Sequence, residues 1–417
     1  MFNLLIIFVF IIGYLAITLE HKIGVNKAAI ALLMGGLCWV MNLMGSFPDE
    51  ALVIPKFNEH LAAISQIVIF VLGTLMIVEL IDAHRGFSIV ADFIQTKNKR
   101  KLLWVVSGIT FFLSSFLANM AVAIIMVMLL RRFIPDRDER MIFSSMVIVA
   151  SNAGGAWTPI GDTTTTMLWL GKQISSGQVM KWLLIPSLVS LIVPLIYFSL
   201  SMKKEERIQL EKTDASSRIP GSRRVLFIGI IGMILVPVIN ATTQLPPSLG
   251  ILLVLGIMWV LTDLIHEEHH FLKVPHALSK IDWASILFFL GILFAVAALE
   301  TAGLLQTFAV WMDKYFVNKD VIVTILGMVS AVIDNIPLTA VTMGMYHLAQ
   351  YPMDSKLWEL TAYAVGTGGS LLIIGSAAGI VVMGMEKIEF GWYLRKISFP
   401  ALMGYFAGIG TFLILYR

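Results

Sequence analysis

Ser151-Asn152-Ala153-Gly154-Gly155-Ala156-Trp157-Thr158-Pro159-Ile160-Gly161-Asp162-Thr163-Thr164-Thr165-Thr166 lies in the middle of an apolar stretch running from 141 to 171. A membrane-length helix cannot keep its hydrogen-bond ladder through Gly-Gly and Thr-Pro. Irregular backbone at membrane depth persists only where it lines a cavity or is buried in protein. The stretch therefore predicts a broken span whose freed carbonyls and dense hydroxyls face an internal site. Asp162 adds a carboxylate, and an ionisable residue inside a span marks a functional site by default. Hard oxygen ligands of this kind suit Na⁺ or Li⁺.

The surroundings support a membrane reading. Of 417 residues, 58% are hydrophobic and only 14% charged, and the mean hydropathy is +0.86. A soluble surface needs more charge than that. Full-length helix candidates are 3–19, 25–44, 61–83, 141–171, 182–202, 224–240, 249–265, 282–300, 358–386 and 391–415. The first is read as a retained helix because it lacks a basic start and a small-residue cleavage pattern. Cys38, the single cysteine, excludes an intrachain disulfide and a cysteine metal cluster. Net charge is +3 with no basic patch interleaved with aromatics, so nucleic acid is not an expected partner. No cofactor is expected either. The lipid bilayer is.

Two apolar stretches are divided at their centres. Lys101 to Arg132 breaks near Leu117-Ala118-Asn119, and Val321 to His347 breaks at Asp334-Asn335-Ile336-Pro337. Each half spans roughly 22 Å of helix, short of the ~30 Å hydrocarbon core. Both are predicted to be re-entrant hairpins. With the N-terminus outside, the inside segments hold 23 of the 30 Lys and Arg residues, which fixes that orientation and puts the C-terminus outside too.

The chain also repeats. Ile69-Phe70-Val71-Leu72-Gly73 pairs with Leu287-Phe288-Phe289-Leu290-Gly291, and Asp82 with Glu300. Ser114 and Asn119 pair with Ser330 and Asn335. Gly154-Gly155 and Gly161 pair with Gly368-Gly369 and Gly375. Offsets of 218, 216 and 214 need only small gaps, and the halves start on opposite sides. This pattern predicts an all-α polytopic protein of two inverted repeats, each with five spans (one broken) and one re-entrant hairpin. The repeats are 1–202 and 224–417, joined by a cytoplasmic linker, 203–223. The mirror of the first break runs from Gly366 to Ser376 and offers hydroxyls, with Thr367, Ser370 and Ser376, but no carboxylate. Candidate cation and proton ligands are thus Asn119, Asn152, Thr158, Asp162, Thr164, Thr165, Ser330, Asp334, Asn335, Thr367, Ser370 and Ser376. Asp or Asn at a hairpin tip also suits helix capping. Glu79, Asp82 and Glu300, near the ends of the spans preceding the hairpins, are secondary candidates.

Asn152 to Thr166, centred on Thr158-Pro159-Ile160-Gly161, resembles the signature of NhaD-type sodium/proton antiporters. Glu20-His21-Lys22 and Gly24-Val25-Asn26-Lys27-Ala28 are similar to that family too, and the likeness extends over nearly the whole chain. More broadly the chain resembles a superfamily containing dicarboxylate/sodium symporters and arsenite permeases. The resemblance implies Na⁺(Li⁺)/H⁺ exchange in a bacterial inner membrane, with Asp162, Thr164, Thr165, Asn152, Asn335 and Ser330 on matching positions. It also implies paired hairpins, paired broken helices and a homodimeric scaffold; 3–44 and 224–265, poor in polar residues, are the candidate scaffold and dimer face. Ala118 stands where the family carries an acid at the first hairpin tip, shifting weight to Asp162 and Asp334. In this scheme Na⁺ and H⁺ compete for one carboxylate set.

Rival readings are a Na⁺-coupled dicarboxylate symporter, an arsenite permease and, from another class, a membrane metalloprotease. The last rests on His266-Glu267-Glu268-His269-His270, which fits H-E-x-x-H and could place His266 and His270 on one helical face with Glu267 as base. It sits in a polar loop without an evident third ligand. Gly86–Lys97 and Gly303–Phe316 read as interfacial helices.

Overall fold

A computed structural model describes residues 2–18, 20–45, 53–87, 96, 98–202, 221–265, 274–316 and 318–416. Most of the 203–223 linker, the His266–His270 motif and most of the 86–97 segment lie outside them. Every described element is helical: α1 (Phe2–Thr18), α2 (Glu20–Ile23), α3 (Lys27–Gly45), α4 (Val53–Ala83), α5 (Lys99–Ser114), α6 (Asn119–Phe133), α7 (Arg137–Gly155), α8 (Thr163–Leu170), α9 (Ser176–Ser201) and α10 (Ser222–Thr243), followed by α11 (Pro247–Ile265), α12 (Val274–Lys280), α13 (Trp283–Thr301), α14 (Leu304–Tyr315), α15 (Lys319–Val329), α16 (Asn335–Met345), α17 (Lys356–Gly368), α18 (Ala377–Glu386), α19 (Phe390–Lys396) and α20 (Ser398–Leu415). Seven of these, α3, α4, α9, α10, α11, α13 and α20, are long and apolar enough to cross a membrane. The chain is a multi-pass membrane protein.

Residues 115–118 divide α5 from α6 and 330–334 divide α15 from α16, where the sequence predicts breaks. The two predicted broken spans become α7/α8 and α17/α18, interrupted at 156–162 and 369–376. The first break is narrower than expected. Gly154 and Gly155 remain in the last turn of α7, because packing overrides glycine's weak preference against helix. Two boundaries differ further. α4 begins at Val53 rather than 61, through a polar turn that a hydropathy reading discards. The predicted span 391–415 divides at Ile397: Pro400, three residues on, lacks the N–H that would bond one turn back across the division and stands in the first turn of α20.

Glycines set the closest crossings. A Cβ on Gly35 would stand 2.7 Å from the Gly291 carbonyl oxygen, so α3 and α13 touch backbone to backbone. Trp39 Nε1 and Asn42 Nδ2 donate across the same crossing to Phe294 O (2.9 Å) and Ala298 O (2.8 Å). In α9, Pro194 cannot donate to the Ser190 carbonyl, and Gly404 of α20 packs directly on that freed oxygen. Gly154 fits against the Phe111 carbonyl of α5, and Gly368 against the Gly327 carbonyl of α15.

The ends of each hairpin meet on one side. At one end of the bundle Lys99 pairs with Glu139, and Arg100 donates to the Met202 carbonyl. There Glu386, with a side chain 1% exposed, accepts from Arg131 Nε (2.7 Å) and Arg140 Nε (2.8 Å). Arg131 also reaches the Met385 carbonyl and Arg137 that of Lys387 (2.8 Å). Three guanidiniums thus complement the negative end of α18 and tie the two halves of the chain together. At the other end Asp313, Lys319, Tyr346, Asp320 and Lys356 are linked by ion pairs and a hydrogen bond. Glu386→Ala leaves two cations short of their acceptor. It is expected to cost about 2 kcal/mol, less than a fully enclosed pair because Arg131 is 45% exposed. A drop in the melting temperature of detergent-purified protein would register it.

Candidate functional site

Four helices begin at one place near the middle of the bundle. Asn119 opens α6, Asp162 stands at the N-cap of α8, Asp334 at that of α16, and Ser376 at that of α18. Each N-terminus turns unsatisfied N–H groups and a positive partial charge toward the centre.

Asp162 is 2% exposed. Asn119 Nδ2 donates to its Oδ1 at 2.8 Å, and Asn335 Nδ2 donates to Oδ1 and Oδ2 at 3.3 and 3.0 Å. Asn119 Nδ2 also donates to Asn152 Oδ1 (3.0 Å), Asn119 Oδ1 accepts from Met120 N (2.8 Å), and Asn152 Nδ2 donates to Ser376 Oγ (3.0 Å). Ser376 Oγ accepts from Gly379 N at 3.2 Å and so caps α18. The result is one buried network built from both hairpin tips and both breaks.

Thr164 Oγ1 is buried beside the Asp162 carboxylate and has no hydrogen-bond partner among the described residues. Gly366 comes close enough that a Cβ there would stand 3.4 Å from Asp162 Oδ2. Among the described residues no Lys, Arg or His side chain pairs with Asp162.

The other predicted ligands divide by task. Thr158 Oγ1 donates to Ser115 O (2.5 Å) and accepts from Gly161 N (3.1 Å), fixing the first break against the first hairpin. Thr165 Oγ1 donates to the Asp162 carbonyl (2.9 Å). Ser330, Thr367 and Ser370 donate to the carbonyls of Val365, Tyr363 and Thr367. These hydroxyls hold backbone in place, and their oxygens keep lone pairs for a further donor or a cation. Asp334 is electrostatically coupled to Asp162 without a hydrogen bond between them, and Lys27 is the cation that faces it. Glu79 pairs with Lys280 at 3.8 Å, and Asp82 lies within the field of the same lysine. Glu300 sits among Lys56, Glu59 and His60 at the other end of the bundle. None of the three reaches the central network.

Sequence reading left three residues out of the candidate set. Ser114 and Ser115 donate to the Ser151 and Gly154 carbonyls (2.7 and 3.1 Å), binding the first hairpin to the first broken helix. Glu359 is a fully buried carboxyl in the first turns of α17, within a stretch read as a span. An acid so placed is itself a signal.

The family model described as "CitMHS: Citrate transporter" matches residues 5–364. The chain is 47% identical to "Sodium/proton antiporter 1" of Arabidopsis thaliana, over 97% of this chain and 71% of that protein. It is 45% identical to "Sodium/proton antiporter 2" of the same plant, over 97% and 98%. It is 27% identical to "Na(+)/H(+) antiporter NhaD" of Halomonas elongata, over 97% and 87%.

Proposed function

The chain belongs to the citrate-transporter (CitMHS) family and, within it, to the NhaD-type sodium/proton antiporters, and on that footing we propose that it exchanges Na⁺, or Li⁺, for protons at Asp162. One observation carries the proposal. Asp162 is a buried carboxylate compensated by neutral amides and helix N-termini, with no basic side chain paired to it among the described residues. Burying an uncompensated charge costs several kcal/mol. A proton or a small hard cation removes that cost, and the two cannot share the site at full strength. Competition for one anion is the chemistry of exchange.

The remaining ligands are part of the same proposal, and the convergence of the hairpin tips and breaks supports them. Asn152 Oδ1, the oxygens of Ser376 and Thr164, and the carbonyls at the breaks complete an oxygen shell as Na⁺ enters. Asn119 and Asn335 swing or stay as donors to the carboxylate. Thr158, Thr165, Ser330, Thr367 and Ser370 hold the shell's backbone, and Asp334 adds negative field from the second tip.

Two inverted repeats, 1–202 and 224–417 about the 203–223 linker, are part of the same reading. Ser114 Oγ donates to Ser151 O, and Ser330 Oγ, 216 positions on, donates to Val365 O, 214 positions on. Gly154 on Phe111 and Gly368 on Gly327 repeat at the same offsets. The two hairpins open toward opposite ends of the bundle, which supports re-entry from opposite sides. The exposed apolar residues of α1, α3, α10 and α11, among them Phe8, Leu33, Phe227 and Val260, supply the face for lipid and a second copy. Both termini are placed outside a bacterial cytoplasmic membrane. An alkaline phosphatase fused after residue 417 should then be active.

The four convergent N-termini give a rival some footing, since such a cradle also suits a carboxylate anion with bound Na⁺. Purified protein in liposomes separates the readings. Na⁺ and Li⁺, but not K⁺, should collapse an imposed pH gradient, and citrate, succinate or arsenite should change nothing. Citrate uptake without Na⁺-driven proton movement would overturn the antiport reading.

A further inference from the structure

Glu359 lies outside the site just described. Its side chain is 0% exposed, and neither Oε1 nor Oε2 has a hydrogen-bond partner among the described residues. Ser355 Oγ, at the N-cap of the same helix, is likewise buried and unpartnered. A carboxylate enclosed in this way, with no donor and no cation, is too costly to carry as an anion. The group is held neutral by a proton.

Its position gives that proton a use. α17 begins at the end of the bundle where Asp313, Lys319 and Lys356 cluster, which the reading above places outside. The helix then runs inward to Gly366, which abuts Asp162. Seven residues separate Glu359 from Gly366, about 10 Å of helix. Tyr363, one turn in from Glu359, has its hydroxyl bonded to Tyr405 O at 3.0 Å, and Thr367 Oγ1 bonds back to Tyr363 O at 2.7 Å. Tyr363 and Thr367 thus follow Glu359 at one-turn spacing along α17 toward the central carboxylate.

The charged and titratable groups around Glu359 are few. Asp354 and Tyr416 face it, with the Tyr416 hydroxyl bonded to Asp354 O at 2.8 Å. Lys356, on its own helix, is engaged by Asp320. On α9, Lys181 lies over the Trp182 ring, which packs on Tyr416. α8 and α16 contribute no titratable side chain. Asp354 adds negative field, so nothing nearby favours an anion at Glu359 over a proton.

We propose that Glu359 is a proton-relay residue of the exchange, taking a proton from the outer water and passing it to the Asp162 carboxylate as Na⁺ leaves. The step moves the proton of neutral Glu359 to the Asp162 carboxylate, and the Glu359 carboxylate left behind takes one proton from hydronium outside, releasing water, so one proton enters for each one delivered. The inference rests on the antiport reading, and the experiment separates the two.

Glu359→Gln keeps the size and neutrality of the protonated side chain but holds no transferable proton. Liposomes containing the full-length variant are assayed twice: for Na⁺-driven proton movement across a pH series, and for ²²Na⁺/Na⁺ counterflow, which needs only Asp162. The relay predicts antiport slowed at least about tenfold, most at high outer pH, with counterflow within about twofold of wild type. Equal slowing of both, or of neither, overturns it. Should Glu359→Gln fail to accumulate, Glu359→Met, of similar volume and likewise without a transferable proton, carries the same test, again read as selective loss of antiport. Wild-type protein lacking both activities would overturn the antiport reading itself, whatever Glu359 does.

Discussion

Asp162→Asn is expected to abolish Na⁺-driven proton movement, to below about one hundredth of wild type, while leaving the protein folded. Asparagine has nearly the shape of the carboxyl, and its Oδ1 can still accept from Asn119 and Asn335, which bond Asp162 Oδ1 at 2.8 and 3.3 Å. It cannot hold a transferable proton and offers a cation only a neutral oxygen. In the wild type the acid is the one group in the central network able to do both. Replacing an enclosed charge by a neutral group of equal volume also tends to be neutral or stabilising. The melting temperature in detergent should therefore hold or rise as transport vanishes. Exchange surviving above about a tenth of the wild-type rate would remove Asp162 from the centre of the scheme.

Gly368→Ala is expected to destabilise the protein by about 3 kcal/mol, at the upper end of overpacking penalties. The new methyl would overlap the Gly327 carbonyl oxygen, and that atom is backbone, held between α15 and α17. Tyr405 leaves the crossing no slack: its hydroxyl donates to Thr324 O at 2.8 Å on the same face of α15, where a Cβ on Gly327 would meet both it and the Ala364 carbonyl of α17. Relief requires the second hairpin to separate from its broken helix, which would also disturb the Ser330-to-Val365 bond. Gly154→Ala should act alike through the Phe111 carbonyl, whereas Gly384→Ala, with open space around it, should cost nothing measurable. Thermal unfolding of the three variants checks the order. Equal stability of all three would mean that the crossings yield more easily than their geometry indicates.

Much of this architecture was legible in the residues. Breaks announce themselves through Gly, Pro and Asn within apolar runs, and all four fall where the sequence places them. The paired serines and glycines keep their offsets as paired contacts. What escaped was tertiary. No spacing reveals that Asn119 and Asn335, 216 positions apart, converge on Asp162, or that Thr158 and Ser330 turn to backbone instead. Arg131, Arg137 and Arg140 read as topology-setting positive charges, yet they also embrace Glu386 across about 250 positions. The start of α4 was missed because hydropathy discards a polar turn that helix packing keeps. The division at Ile397 escapes a sequence reading because a proline alone does not decide it: Pro194 stands inside the unbroken α9.

The single acid among neutral amides bears finally on leakage. A carrier that moves only when filled cannot short-circuit the gradient it uses. With Asp162 bare, crossing the bilayer means dragging an unscreened charge through hydrocarbon, a barrier of several kcal/mol. In the exchange proposed at Asp162, either guest lowers that barrier, so empty returns are disfavoured by electrostatics.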